Sequence, residues 1–222
     1  MSNERIFIPT LDGALTIYRP DIDECYHSRK GALKESQYVF IQNGLDRCRS
    51  NELKVLEIGW GTGLNGLLSA EWAQKHGRKI FYHSLETHPL EISEYEQFAA
   101  SIHVADELKT LWKKMRESGW EKDCFIHDFF TLHKENQSIQ SVELLKESYD
   151  VIFFDAFAPS KQPEMWEPDI LKKCYLSLKP AGLLTTYCAQ GKFKRDLKDI
   201  GYLVTNLPGP QGKIQMTIAE KP

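Results

Sequence analysis

The sequence predicts an α/β protein: a doubly wound, mostly parallel sheet that ends in an antiparallel hairpin, with a small N-terminal hairpin-and-helix extension. Three observations predict it. From residue 54 onward, short apolar runs alternate with helical stretches, the pattern of βαβ units covered on both faces. The first run ends in a glycine-rich loop, Gly59-Trp60-Gly61-Thr62-Gly63-Leu64-Asn65-Gly66. The last two runs are joined by Leu207-Pro208-Gly209-Pro210-Gln211-Gly212, too short for a helical crossover, so they pair antiparallel.

Each element has its own signal. Residues 5–18 alternate apolar and polar around Asp12-Gly13, a hairpin turn. Residues 32–48 read as a helix with Leu33, Tyr38, Phe40, Ile41 and Leu45 inward. The strand at 54–58 (KVLEI) leads through the glycines into a helix at 64–76, and 79–85 (KIFYHSL) is a strand ending at Glu86. Helical stretches follow near 90–100 and 104–117, then a strand at 123–127 (DCFIH) ending at Asp128 and a helix near 138–147. The most apolar strand, 150–154 (DVIFF), ends at Asp155. Helices near 168–178 and 191–199 alternate with strands at 182–187 and 202–206, and 214–220 is the last strand. Residues 1–50 are expected to pack as an extension on a core of 51–222, within a single structural domain.

Composition bounds the function. Of 222 residues, 41% are hydrophobic and 27% charged, which excludes a disordered, collagenous or coiled-coil chain. The net charge of −3 excludes a strongly basic nucleic-acid coat. It conceals an asymmetry, because 161–213 carries nine Lys or Arg against five Asp or Glu. A polyanion could use that segment, and a solvated mixed surface explains it nearly as well. No apolar run is long enough to cross a bilayer, and the start, MSNERIFIPT, lacks the apolar core of a signal peptide. The five cysteines include no Cys-x-x-Cys pair, which predicts reduced thiols and a cytoplasmic chain. His27, His76, His83, His88, His103, His127 and His133 show no metal-ligand spacing, so no metal is expected.

The predicted strands end at Gly59, Glu86, Asp128 and Asp155. In open α/β sheets ligands bind beyond the carboxyl ends of the strands, so these residues should converge on one crevice. The loop fits two registers. Gly61, Gly63 and Gly66 match the dinucleotide pattern, whereas Gly59, Gly61 and Gly63 after Glu57 match the loop of S-adenosylmethionine enzymes and start where the strand stops. Glu57, an acid at an apolar strand end, needs a partner, and the cationic amino group of a methionine tail would supply one. Glu86, 23 residues after Gly63, suits two ribose hydroxyls of either cofactor. Asp128 and Phe129 could take an adenine amino group and stack on the base, or Asp128 could simply cap a helix. Asp155-Ala156-Phe157-Ala158-Pro159-Ser160 places an acid, an aromatic and a proline at the end of a buried strand, reminiscent of the Asp-Pro-Pro-aromatic corner of amino-group methyltransferases.

Together Gly59-Trp60-Gly61-Thr62-Gly63-Leu64-Asn65, the end of the second strand at Ser84-Leu85-Glu86 with Pro89-Leu90, and the string FAPSKQPEMW at 157–166 resemble the tRNA 5-methylaminomethyl-2-thiouridine methyltransferase family, the methyltransferase half of bifunctional MnmC proteins that also occurs alone. Gly31, Glu35, Tyr38, Val39 and Phe40 match its pattern before the sheet. Trp60 stands where phenylalanine is commoner, Ala156 where glycine is, and Gly212-Lys213-Ile214-Gln215-Met216 is less basic than the family string. The resemblance implies a class I S-adenosylmethionine-dependent methyltransferase, Rossmann-like, acting on the aminomethyl group of a wobble uridine in the anticodon region of tRNA to give 5-methylaminomethyl-(2-thio)uridine. It implies Asp155 as the catalytic residue. Glu57, Gly59, Trp60, Gly61, Gly63, Asn65, Glu86, Asp128 and Phe129 would hold S-adenosylmethionine. Ser28, Lys30, Glu35, Tyr38, Phe157, Pro159, Lys161 and Lys213 would meet the substrate. The flavin-dependent half of the bifunctional proteins needs more chain than this, so flavin is not expected. A small-molecule amine N-methyltransferase and a non-catalytic cofactor- or RNA-binding module are the alternatives.

Overall fold

The computed structural model describes residues 5–210 and 213–222. At the N-terminus, β1 (Ile6–Pro9) and β2 (Leu15–Arg19) pair antiparallel across the Asp12-Gly13 turn, and β3 (Glu24–Cys25) adds to β2. The helix read at 32–48 is broken. It runs as α1 (Ala32–Ser36), a wide π turn at Gln37–Gln42 and a 3-10 turn at Leu45–Arg47, with Asn43 closing the middle piece on the Tyr38 carbonyl.

Period-two patterning then builds the main sheet. In β4 (Glu52–Ile58) Val55 enters one apolar layer while Leu56 and Ile58 enter the other. A strand buried on both faces needs helices on both sides. The first layer contains residues of α2 (Leu64–His76), α3 (Ile92–Ser101) and α4 (Asp106–Glu117), packed against β5 (Lys79–Leu85) and its neighbours. After β6 (Asp123–His127), β7 (Phe130–Glu135) and β8 (Tyr149–Phe154), the second layer is filled by α5 (Pro168–Ser177) and α6 (Gly191–Ile200), on either side of β9 (Leu178–Thr186). The strands β10 (Leu203–Pro208) and β11 (Gln215–Glu220) pair antiparallel with each other, and β11 pairs antiparallel with β9. Gln211 and Gly212, in their connection, lie outside the described residues. The eight-stranded order is β10-β11-β9-β8-β4-β5-β7-β6.

Two sequence expectations are corrected. The strand at 123–127 is not the third parallel strand but an edge strand, antiparallel to β7, and Asp128-Phe129 is the two-residue turn between them. The parallel partner of β5 is β7. Its inward positions are Phe130, Leu132 and Lys134, and the lysine disguises the apolar pattern. Lys134 Nζ donates to the carbonyls of Met115 (3.0 Å) and Arg116 (3.3 Å) in the last turn of α4, and burial lowers its pKa to about 8. The helix expected near 138–147 is irregular chain instead. There the Ser141 amide bonds to the Ser138 hydroxyl and carbonyl, local bonding that competes with a helix.

Candidate active site

The loop after β4 is held by its neighbours. The Gly59 and Trp60 amides both donate to the Leu85 carbonyl at the end of β5 (3.0 and 3.1 Å), and the Asp155 amide donates to the Ile58 carbonyl (3.1 Å). Gly59 has φ +97°, and a Cβ there would stand 2.9 Å from the Asp155 carbonyl oxygen. The loop and the end of β8 therefore touch through backbone, which glycine alone allows. Trp60 turns inward, 2% exposed, with its indole against Gly63 and Gly66. It shapes the loop from below, and its side chain belongs to the core.

Above this loop opens a cavity of about 580 Å³. Of the residues singled out as cofactor contacts, Gly59, Trp60, Gly61, Asn65 and Glu86 line it. Ser28, Glu35, Phe157, Lys161, Lys213 and Asp155 line it as well, so the loop, the β8 corner and the segment before the sheet share one space. Glu57 and Gly63 lie beneath the wall rather than on it. Lys30 is exposed and Pro159 half-buried outside the lining. Tyr38 faces a separate shallow depression and donates its hydroxyl to the Pro208 carbonyl (2.9 Å).

Asp128 and Phe129 are not at the site. The Phe129 carbonyl accepts from the Ile80 amide, at the start of β5, whereas the cavity lies past Leu85 at its end. Five residues of strand, about 17 Å, separate the two. The wall expected from them is supplied instead by residues 137–140, directly after the true third strand. Sequence reasoning also missed Tyr26, His27 and Tyr187 on the lining. Tyr26 and His27 follow a strand of two residues, too short to read, and the tyrosine of β9's end carries no motif.

Carboxylates dominate the electrostatics. Glu57 is fully buried, and its Oε2 accepts from Ser84 Oγ at 2.6 Å while Oε1 has no hydrogen-bond partner. Burial, with the nearby Asp155 charge adding to it, raises its pKa to about 8. Asp155 accepts at Oδ2 from Asn65 Nδ2 (2.8 Å), and burial raises its pKa to about 7. Asn65 Oδ1 is buried and unpartnered. Glu86 accepts backbone amides at both oxygens: Gly61 at Oε2 (2.9 Å), Thr87 and His88 at Oε1 (2.9 and 2.8 Å). One acceptor position on Oε2 is left for a ligand hydroxyl.

The corner after β8 is braced. Trp166 Nε1 donates to the Phe157 carbonyl (2.8 Å), the Tyr187 hydroxyl donates to the Ala156 carbonyl (2.8 Å), and the Tyr26 ring meets Phe157 edge-on at 5.4 Å. Lys213 pairs with Glu35 (2.5 Å) and lies 3.8 Å from the centre of the Tyr187 ring. Lys161 pairs with Asp23 (2.7 Å), which ties the corner to the N-terminal sheet.

The glycine loop, Glu86 after β5 and Asp155 after β8 thus face one cavity. A family described as S-adenosyl-L-methionine-dependent methyltransferase matches residues 96–222. The chain is similar to the tRNA 5-methylaminomethyl-2-thiouridine biosynthesis bifunctional protein MnmC of Cupriavidus necator, at 30% identity over 95% of this chain and 34% of that protein. The corresponding protein of Ralstonia nicotianae is 29% identical over 96% of this chain and 34% of its own length. The chain thus spans about a third of these relatives. MnmC2 from Aquifex aeolicus superposes with a TM-score of 0.78 at 22% identity, covering 100% of this chain and 72% of that one. The CMeT domain of the citrinin polyketide synthase superposes at 0.51 and 14% identity, over 92% and 54% of the two chains, and both likenesses show the fold. By the match over its C-terminal half and more, the chain belongs to this family of S-adenosyl-L-methionine-dependent methyltransferases.

Proposed function

We propose that the chain methylates the exocyclic amine of a 5-aminomethyl-(2-thio)uridine at the wobble position of tRNA. The relatives' printed role in making 5-methylaminomethyl-2-thiouridine supports the substrate. The observation that carries the chemistry is Asp155, a carboxylate with a pKa near 7 on the cavity wall beside the glycine loop.

The residues present fit the cofactor. The unpartnered buried Oδ1 of Asn65, a residue of the cavity wall, lacks a donor that an ammonium would supply, and the spare position on Glu86 suits a ribose hydroxyl. Gly59, Gly61 and Asn65 would hold the methionine end, with Glu57 acting beneath them, and residues 137–140 would meet the base. When bound, S-adenosylmethionine supplies an electrophilic methyl group already activated by its positive sulfur. The chain's own task is to present a neutral amine in line.

An alkyl ammonium titrates near 10.4, as lysine does, and carries no lone pair. An ordinary aspartate would accept its proton against a gap of about 6–7 pKa units; raising Asp155 to about 7 closes roughly three of them, about 4 kcal/mol. Asn65 fixes Oδ2, and among the described residues Oδ1 accepts no hydrogen bond, so that oxygen is the one to receive the proton. Phe157, braced by Trp166 and Tyr26, forms a flat apolar wall for a pyrimidine. The excess of basic residues in 161–213 is the surface we assign to the tRNA backbone.

The test is mass spectrometry of nucleosides from undermodified tRNA incubated with the chain and methyl-labelled S-adenosylmethionine. A labelled methylaminomethyl wobble uridine is the expected result. Label that appears in small amines and in no nucleoside refutes the tRNA assignment and favours a small-molecule N-methyltransferase.

A further inference from the structure

The sheet pairs two histidines 50 residues apart: in the parallel register of β5 and β7, His83 lies beside His133. Glu135, two positions along β7, joins them on the same face. One donor atom from each of the three side chains lies within 4.8 Å of the others. Glu135 Oε1 is 3.3 Å from His83 Nε2 and 3.2 Å from His133 Nε2. Each imidazole is held from behind. His133 Nδ1 lies 2.6 Å from Asp123 Oδ1 on β6, and His83 Nδ1 lies 2.6 Å from the Tyr149 hydroxyl on β8.

These outer contacts determine what the inner atoms do. An ionised carboxylate only accepts, so a neutral His133 carries its proton on Nδ1, facing Asp123. Its Nε2 then presents a lone pair to Glu135, which is again an acceptor. His83 Nε2 is buried and makes no hydrogen bond. In the neutral tautomers with the proton on Nδ1, three electron-rich atoms converge, an arrangement that a cation satisfies.

We propose that His83 Nε2, His133 Nε2 and Glu135 Oε1 form a binding site for a tetrahedral divalent cation of the zinc type, with Asp123 and Tyr149 orienting the imidazoles. The spacing favours this geometry. With metal–ligand bonds of about 2.0–2.1 Å, ligands of a tetrahedral ion are roughly 3.3–3.4 Å apart, against roughly 2.9–3.0 Å for an octahedral one. The observed 3.2 and 3.3 Å lie closer to the tetrahedral edge. The side chains of His133 and Glu135 are 20% and 22% exposed, which leaves an entry path and room for a water as fourth ligand. The site is on the sheet face opposite Ser84 and Glu57, and Glu135 is two residues before the start of the cavity wall at Gln137. A cation there would fasten β5 to β7 beside that wall, a structural role separate from methyl transfer. The absence of metal expected from histidine spacing is therefore the sequence expectation that this proposal reverses.

The test uses the full chain stripped with a chelator. Calorimetric titration with Zn2+ should show one equivalent bound, and Zn2+ should raise the melting temperature. Co2+ in its place should give the intense visible bands of a four-coordinate ion, without the near-ultraviolet bands of thiolate ligation. His133→Ala and Glu135→Gln, each checked for fold by circular dichroism, should lose the stoichiometric binding and the thermal shift. Asp123→Asn, which leaves the ligands in place, should weaken binding by about 10–100-fold. The proposal is overturned if the wild-type chain takes up no metal, leaving a bare chain of ion pairs, if Co2+ shows thiolate bands, or if a folded His133→Ala binds Zn2+ as the wild type does.

Discussion

Replacing Glu57 by glutamine should change how stability depends on pH. The folded-state pKa of about 8 lies above the ordinary 4.5. The folded chain therefore holds a proton that the unfolded chain releases over that interval. The stabilisation is complete below about pH 4.5 and is lost as the pH rises through about 8, at up to ~1.4 kcal/mol per pH unit. Across the window the loss from this one group comes to roughly 3–5 kcal/mol, a large part of a typical domain's margin. Glutamine keeps an oxygen for the Ser84 hydroxyl and places an NH2 where Glu57 has its unpartnered oxygen. In urea unfolding followed by tryptophan fluorescence, wild type and Glu57→Gln should agree within about 1 kcal/mol near pH 5, and the variant should be the more stable by about 3–5 kcal/mol near pH 8.5. Asp155, raised in the same direction to about 7, leaves a residual slope in the variant. Parallel curves for the two proteins across this range would refute the reasoning, because they would mean that Glu57 is ionised in the fold.

Three further outcomes are expected. Asp155→Asn should lower turnover by about 10²–10⁴ with cofactor affinity nearly intact by calorimetry, and wild-type turnover should rise with pH through about 7 as Asp155 ionises. Gly63→Ala should destabilise by about 2–5 kcal/mol in thermal or urea unfolding, since φ is +73° and the new Cβ would stand 2.5 Å from the Trp60 ring; a loss below about 1 kcal/mol would show that Trp60 can move aside. Asp128→Ala and Phe129→Ala should leave S-adenosylmethionine affinity within about twofold of wild type, since both residues lie at the far end of the sheet; a tenfold loss would return them to the site.

Legible in the sequence alone are most of the alternation of strands and helices, the hairpins at both ends and the glycine loop after the first strand of the main sheet. Each rests on local chemistry: apolar periodicity, turn residues between runs, and glycines where backbones meet. It also located Glu86 and Asp155, because an acid directly after an apolar run has a strand end as its address. It failed where a partner from elsewhere decides the outcome. Lys134 reads as an exposed residue until the carbonyls at the end of α4 satisfy it, so β7 carries no clear apolar pattern and the edge strand β6, ending before Asp128, reads as the third parallel strand in its place. Trp60 lines the cavity, yet its ring turns under the loop because Gly63 and Gly66 leave room for it. The raised pKa values of Glu57 and Asp155 come from burial, and the meeting of His83, His133 and Glu135 comes from the register between two strands. Desolvation and strand register are properties of the packed molecule, and no window of sequence contains them.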